Sequence, residues 1–575
     1  MRPADRLVRA GLAAAGALLL YGVAATLPAY WVFLATSAVV SGVLLQSLGV
    51  VAGRAGLVSL CQAAFAAIGA WTTAQLNVWA VPGGLWVWLP LAGLAAVPLG
   101  VLVGLPALRL RGVHLAIVTL GFAATVDVVL ATSSFPGVAQ GLTVGRPAGL
   151  AAERQYFLFC CGVFALVAVA LAVVGRTRLG ISWRVLRESE RATAAAGTGV
   201  PGAKLSAFAV SAFVAGLSGA LLAGQLAMVV SRNFDPGQSL TAYAVAVMAG
   251  AHHAEGALLG GALGVLISEL LRRFEIPQQW ANVVFAVGAL QAFTQGSGLS
   301  DALRARLRRL PLRRLPLPRP SETPSTAPSS PDQAPLPPPQ PATALQVSGL
   351  GVRFGQVTAL HQVTLTVPGG TVHGLVGPNG AGKSSLVDAI TGFVPCTGTV
   401  FLSGTDLTTA PAHRRARAGL RRTFQQDRVP TTLTVEEYLR FTARRHLTHE
   451  DLAEALHDLV DLPPTHRIEE LDTGTRRLLE VAGALLARPV LAVLDEPAAG
   501  LGQAETERLG AWLNTAPARF GAAVLLIEHD LDLVRATCER VTVLDFGTVL
   551  AEGPPAEVFA TPEVLRAYLG EEVTA

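Results

Sequence analysis

Four short stretches in the C-terminal half carry residues arranged for chemistry. The first reads Gly377-Pro378-Asn379-Gly380-Ala381-Gly382-Lys383-Ser384-Ser385. It follows the strand-like run Thr371–Leu375 and precedes an apolar helical run at 386–393. Glycines at this spacing leave backbone N–H groups pointing at phosphates, and the helix that follows adds the positive end of its dipole. Lys383 then reaches β- and γ-phosphates, and Ser384 places its hydroxyl on Mg²⁺. The second stretch, Leu491-Ala-Val-Leu-Asp495-Glu496, is an apolar strand ending in two carboxylates. Beside a phosphate loop, Asp495 is placed to hold Mg²⁺ through its water shell, and Glu496 to orient or polarise an attacking water. The third, Val524 to Asp530, ends another apolar strand at His529, a candidate to contact the γ-phosphate and hold the water's geometry. In the fourth, Arg422-Thr-Phe-Gln425, the distance after the phosphate loop suits Gln425 to sense Mg²⁺ and the transferred phosphate. Phe354, expected in a turn just after the first strand, has two open roles: stacking on adenine or burial in a small antiparallel subdomain.

An α/β domain over 345–570 has to position these side chains, since the first three stretches follow or end a strand-like run. The rest of the chain is built differently. Hydrophobic residues make up 51% of the 575 and charged residues 15%, against about 25% charged in a soluble domain. The deficit lies in residues 10 to 300, where apolar runs of membrane-spanning length recur. Candidate spans are 10–28, 32–52, 57–76, 85–105, 113–131, 156–174, 205–230, 238–251, 256–271 and 277–294, the eighth and ninth being short enough for broken or re-entrant helices. The N-terminal arginines Arg2, Arg6 and Arg9 ahead of an apolar stretch mimic a signal peptide, but further spans follow at once, so the stretch is expected to stay as a first helix.

Arginine placement sets the orientation. Arg109 and Arg111, the cluster Arg176 to Arg191 and the cluster Arg304 to Arg309 all fall on the cytoplasmic side of a ten-span count, together with the N-terminus. Arg272 and Arg273 fall on the wrong side. Glycines such as Gly256, Gly260, Gly261 and Gly264 are expected to let helices approach closely. Residues 311–341 hold twelve prolines and few apolar side chains, an extended tether. The expected layout is a transmembrane permease domain over 1–310, a linker over 311–343 and a cassette over 344–575. The net charge of +4 shows no basic face on a folded domain, so nucleic acid is excluded as a partner. Five cysteines have no metal-ligand spacing, and the adjacent Cys160 and Cys161 are expected to be ordinary packing residues.

The C-terminal stretches together resemble the ATP-binding-cassette transporter ATPases, over essentially all of 345–570. Arg-Arg-Thr-Phe-Gln at 421–425, Leu-Asp-Glu-Pro-Ala-Ala-Gly-Leu at 494–501 and the closing Ala567-Tyr-Leu-Gly-Glu571 are most similar to the first ATPase subunit of branched-chain amino-acid importers. The membrane half resembles a permease subunit of the same importers over about 10–300, through Pro106 to Gly121, Arg187 to Gly197 and Lys204 to Leu221. The resemblance implies a polytopic all-α transmembrane domain fused to an α/β P-loop NTPase domain in the cytoplasmic membrane, with the ATPase facing the cytoplasm. It implies ATP and Mg²⁺ as cofactors, with Phe354 in the adenine-stacking loop and Gln425 in a coupling loop. Asp495 and Glu496 become the Mg²⁺ and water residues, and His529 the switch histidine. Residues 184–202 become the cytoplasmic coupling helix that docks on an ATPase, though an ordinary cytoplasmic loop has the same composition. The implied partners are a second permease subunit, a second ATPase subunit, an extracytoplasmic solute-binding protein, a small solute and membrane lipid. Leucine, isoleucine and valine are the implied solutes; relatives also carry urea, amides and other small solutes.

One stretch departs from the pattern. The family's signature is Leu-Ser-(Gly or Tyr)-Gly-Gln, whose serine donates to the γ-phosphate of the opposite cassette. Here it reads Leu471-Asp472-Thr473-Gly474-Thr475. An ionised Asp472 cannot donate and brings negative charge toward negative charge, yet it also suits a plain helix N-cap. Two alternatives to an importer stand beside it: a homodimeric half-transporter exporter, and a membrane regulator that binds ATP without turning it over, the one reading this departure supports. About ten compact spans and a short basic coupling loop favour the importer over the exporter.

Overall fold

The computed structural model describes residues 22, 26–133, 135–296, 298–309, 343–425, 429–448, 451–452, 459 and 462–569. Arg2, Arg6 and Arg9, most of the expected span 10–28, the proline-rich stretch 311–341 and the closing Gly570-Glu571 lie outside the described residues. Of the described residues, those up to Trp183 and from Pro201 to Arg309 form one compact unit; Arg184–Val200 and those from Thr343 onward form a second.

The first unit is helical. Its elements are α1 (Ala29–Leu48) running into a π-helical turn (Gly49–Arg54), α2 (Gln62–Val78), α3 (Leu85–Gly104), α4 (Gly112–Ser133) and α5 (Glu153–Arg176). After α6 (Arg178–Glu188) and α7 (Glu190–Ala195) come α8 (Val200–Leu226), α9 (Pro236–Ala249), α10 (Ala254–Arg273), α11 (Gln279–Gln295) and α12 (Leu299–Arg309). Six helical stretches among the described residues, built on α1, α3, α4, α5, α8 and α10, are long and apolar enough to cross a membrane. The expectation of two short helices holds for α9, whose 14 residues rise only about 21 Å. It does not hold for α10, which runs for 20 residues.

Close backbone approach holds this bundle together. A Cβ on Gly261 would lie 2.2 Å from the Ala38 carbonyl oxygen, and one on Gly219 would lie 1.8 Å from that of Ala66. Gly256 and Gly260 are similarly crowded, whereas Gly264 has nothing within 4 Å and lines a cavity instead of a helix contact. The chain between the π-helical turn and α2 is not helical, yet Ser59, Leu60 and Cys61 are buried. Such backbone survives at membrane depth only where protein satisfies it. Here the Leu60 N–H donates to Thr119 Oγ1 (3.0 Å), the Ala63 N–H to Ser239 Oγ (3.0 Å), and Gln62 joins Ser59 and Ser211. Arg272 and Arg273, misplaced by charge counting, both bind Glu269 at 2.8 and 2.9 Å, and Arg272 also donates to the Tyr30 hydroxyl. A carboxylate one turn earlier on the same helix thus holds both cations in place.

The second unit contains two sheets. An antiparallel sheet has the order β2 (Val357–Pro368), β1 (Thr343–Phe354), β4 (Thr397–Leu402), β5 (Thr405–Asp406). The main sheet has the order β10 (Thr548–Gly553), β9 (Arg540–Asp545), β3 (Val372–Val376), β8 (Ala523–Ile527), β7 (Leu491–Asp495), β6 (Leu420–Arg422). Strands β3, β6, β7, β8 and β9 are mutually parallel where they pair. All five residues of β3, β7 and β8 are buried, as expected for parallel strands covered on both faces. The helices include α13 (Lys383–Ile390), α14 (Ala412–Arg417), α15 (Val435–Ala443), α16 (Thr473–Leu486), α17 (Gln503–Phe520) and α18 (Leu531–Thr537).

The core carries one pH liability. His373 on β3 is fully buried, bonded through Nε2 to Thr542 Oγ1 at 2.8 Å, and burial pushes its pKa down to about 4. Its folded pKa lies below the unfolded value, so the unfolded chain takes up a proton that the folded one refuses. Stability is therefore full above about pH 6.5 and falls as pH drops toward 4, by up to roughly 3 kcal/mol. Thermal unfolding of the cassette transition between pH 7 and 5 should show this slope, and His373→Gln should flatten it.

Candidate nucleotide site and docking segment

The phosphate loop joins β3 to α13 through a backbone only glycine tolerates. Gly377 and Gly382 have φ of +149° and +102°, and a Cβ on Gly377 would lie 2.1 Å from the Leu544 carbonyl oxygen. Asn379, Gly380 and Ser384 face outward along the loop, Ser385 is half-buried and Ala381 is buried. A Cβ on Gly380 would meet nothing within 4 Å, so the cradle is open on that side. Lys383 Nζ donates to the carbonyl oxygens of Gly377 (2.6 Å) and Pro378 (3.0 Å). Burial pushes its pKa down, and the nearby charges of Glu496 and Asp495 oppose that. Open amide donors, a cation and an exposed serine at a helix start match the chemistry of a Mg²⁺-bound triphosphate.

The next strand ends bring the other candidates together. Gln425 Nε2 lies 3.0 Å from both carboxylate oxygens of Glu496, and His529 Nε2 lies 2.9 Å from Glu496 Oε1. Glu496 itself sits at φ +48°, an uncommon conformation for a non-glycine residue, held by its N–H donating to the Ile527 carbonyl at 2.9 Å. Asp495 is buried at the end of β7. Burial raises its pKa, and Arg422 at 3.1 Å counteracts that. Phe354 is the last residue of β1, not part of the following turn, and is 51% exposed. Burial in the antiparallel sheet is therefore not its role. Asp472 caps α16: Oδ1 accepts from the Thr475 N–H at 2.9 Å and Oδ2 from the Thr475 hydroxyl at 2.6 Å, which together hold its pKa down.

Several supporting residues escaped the sequence reading. Arg477 on α16 donates to the Phe424 and Gln425 carbonyl oxygens, both at 2.5 Å, and Glu480 accepts from the Phe424 N–H at 3.0 Å. The signature helix thereby holds the Gln425 loop. Buried Glu528, its pKa raised by burial, accepts from the Ala498 and His529 N–H groups. No residue spacing announces the contacts of Arg477 and Glu480 with the Gln425 loop or of Glu528 with Ala498, because these partners lie 30 to 56 residues apart in the chain.

Residues 184–200 cluster with the cassette, and their contacts are specific. Arg184 forms a two-pronged pair with Glu437 on α15, at 3.1 Å to each oxygen. Glu188 accepts from the Thr431 hydroxyl at 3.2 Å. Arg417 and Arg444 donate to the Gly197 carbonyl, both at 2.8 Å, and Arg421 to that of Ala195. Arg191 pairs with Asp388 on α13 (3.3 Å), Asp388 pairs with Arg422, and Arg422 pairs with Asp495. A chain of ion pairs thus runs from the docking segment to the strand-end carboxylate of the nucleotide site. Partly exposed pairs of the Arg184–Glu437 kind contribute about 1 kcal/mol. Arg184→Glu should loosen coupling of hydrolysis to transport, and adding Glu437→Arg should restore it; the double variant is measured against each single one in reconstituted vesicles.

Membrane-length helices and a nucleotide-binding α/β domain on one polypeptide define an ATP-binding-cassette transporter in which permease and ATPase are fused. Within that class the chain belongs to the branched-chain amino acid transport family. Residues 30–290 match the family described as branched-chain amino acid transport system / permease component. Residues 360–499 match the ABC transporter family, and 548–574 match the branched-chain amino acid ATP-binding cassette transporter family. The cassette is 36% identical to the high-affinity branched-chain amino acid transport ATP-binding protein BraF of Pseudomonas aeruginosa, over 40% of this chain and 98% of the relative. It is 34% identical to the corresponding protein LivG of Escherichia coli over the same shares. A solved nucleotide-free ATP-binding cassette from an ABC transporter is 28% identical, covering 40% of this chain and all of its own, with a TM-score of 0.35. The protein is an ATP hydrolase that drives import of a small solute, a polytopic membrane protein whose cassette faces the cytoplasm.

Proposed function

We propose that this chain supplies one permease and one ATPase of an importer for branched-chain amino acids. A second permease, a second ATPase and an extracytoplasmic solute-binding protein complete the complex. The permease occupies 1–310, the tether 311–343 and the cassette 344–575. The observation that carries the catalytic assignment is the convergence of Gln425 and His529 on Glu496 at the ends of parallel strands beside the phosphate loop. In this reading Gly377 to Ser385 cradle the phosphates, Lys383 supplies positive charge, and Phe354 stacks on adenine. Ser384, Gln425 and Asp495 hold Mg²⁺, which when bound neutralises phosphate charge. Glu496 orients the attacking water while Gln425 and His529 fix its carboxylate.

The solute's path runs beside a cavity of about 860 Å³ in the membrane unit, lined by Ser37, Ser41, Gln238, Thr241, Ser268 and Asn282 among others. Polar side chains at membrane depth mark substrate pathways. The membrane chemistry is tested by transport in proteoliposomes with the complete complex, ATP inside and labelled leucine outside. ATP-dependent accumulation that unlabelled valine and isoleucine compete away supports the reading. Accumulation of urea or amides instead reassigns the solute, and outward movement of solute sinks the importer.

A further inference from the structure

Away from the nucleotide site, one cluster in the membrane unit has the composition of a metal centre. His252 and His253 lie in the turn between α9 and α10, and Asp301 lies in the first turn of α12. Both imidazoles converge on one oxygen: Asp301 Oδ1 is 3.1 Å from His252 Nε2 and 3.4 Å from His253 Nε2. One ligand atom from each of the three residues fits within 4.8 Å of the others. Tetrahedral Zn²⁺ with bonds of 2.0–2.1 Å separates its ligands by about 3.3–3.4 Å, so the two histidine–aspartate spacings need little adjustment.

The scaffold around the cluster is tight. Asp301 Oδ2 is already engaged by the Gly298 N–H at 3.0 Å, leaving Oδ1 for the histidines. Ser300 Oγ donates to the Gly250 carbonyl at 3.0 Å, and a Cβ on Gly298 would lie 2.6 Å from the Gly250 nitrogen. The turn and the helix start are therefore locked face to face. Arg54 donates to the His252 carbonyl, away from the ring nitrogens, and Glu255 engages Arg304. The three ligand side chains are 27–29% exposed, enough for an ion to enter and keep a water.

We propose that His252, His253 and Asp301 form a binding site for a divalent transition-metal ion of the zinc type, with three protein ligands and one open position. Two imidazole nitrogens and one carboxylate oxygen are the donors that suit Zn²⁺ and exclude a site built for Mg²⁺ or Ca²⁺, which take oxygen ligands. A bound ion would pin the start of α12, the helix that in sequence leads to the cassette, onto the α9–α10 turn.

The test uses the full chain in lipid nanodiscs, purified without a polyhistidine tag, stripped with chelator and titrated with Zn²⁺ alone and with Co²⁺ alone. One Zn²⁺ per chain is expected, with a raised unfolding midpoint and the intense visible absorption of four-coordinate Co²⁺. His252→Asn with His253→Asn, and separately Asp301→Asn, should each weaken Zn²⁺ binding at least tenfold. Asparagine retains the helix cap, and a metal-free unfolding midpoint of the membrane unit equal to the parent's shows that the variants fold. No stoichiometric Zn²⁺ in the parent chain, or stoichiometric Zn²⁺ and the Co²⁺ signature persisting in both variants, overturns the proposal.

Discussion

Glu496→Gln in the assembled transporter leaves ATP binding intact and lowers hydrolysis by about 10²–10⁴-fold, the usual contribution of a positioned acid–base group. Glutamine keeps the size of the side chain and one accepting oxygen for Gln425 and His529, giving up the second contact with Gln425, and it cannot draw a proton from water. Lys383→Ala behaves differently: it removes charge already used in the ground state, so nucleotide affinity falls. His529→Ala and Gln425→Ala give smaller losses than Glu496→Gln, because each holds Glu496 from one side while the other remains. Nucleotide affinity and single-turnover hydrolysis separate the two behaviours, with the partner ATPase silenced in the same complex. Full hydrolysis by the Glu496→Gln form would remove Glu496 from catalysis.

The second large effect concerns Asp472. In the proposed complex two cassettes pair head to tail, and each site takes its phosphate loop from one and its signature from the other. The altered signature of this chain then serves the partner's phosphate loop, not Lys383. Loss of one aimed donor costs about 3 kcal/mol in a transition state, roughly a hundredfold in rate. The site on Lys383 is therefore the fast one and the opposite site the slow one. Asp472→Ser should raise the slow site's turnover toward that of the fast site. Serine is also a good N-cap, so α16 should lose no more than about 1 kcal/mol. Silencing Glu496 should abolish most steady-state hydrolysis, and silencing the partner's equivalent glutamate should remove little. Equal losses from both, with no gain from Asp472→Ser, would leave Asp472 as a helix cap alone, the contact it makes with Thr475 in this structure. A chain that pairs only with itself would carry the defect in both sites and favour the regulator.

The nucleotide site was legible because its parts are local. A phosphate loop must place its glycines, lysine and serine within nine residues, and a strand-end carboxylate must follow an apolar strand. The membrane half was legible for a similar reason, since hydrocarbon demands long apolar runs. The docking segment was legible in its own residues as a basic loop and through the family resemblance as a coupling helix, but its contacts were not, because Glu437, Asp388 and Thr431 become its partners only once α13, α15 and the loop before α15 are packed.

The amino-acid order by itself determined the class of chemistry and the two-part architecture, and it nominated Lys383, Asp495, Glu496, His529 and Gln425 as site residues from their places along a strand or loop. Tertiary structure decided which of them touch. It joined Gln425 and His529 to Glu496, tied the Gln425 loop to α16 through Arg477 and Glu480, and ran the ion-pair chain from Arg191 to Asp495. It also brought two histidines onto Asp301 across 49 and 48 residues of chain. The physical reason is range. Hydrogen-bond donors along one strand or turn follow fixed backbone geometry, whereas contacts between separate elements depend on how side-chain volumes and backbone approach settle the packing, which no short pattern encodes.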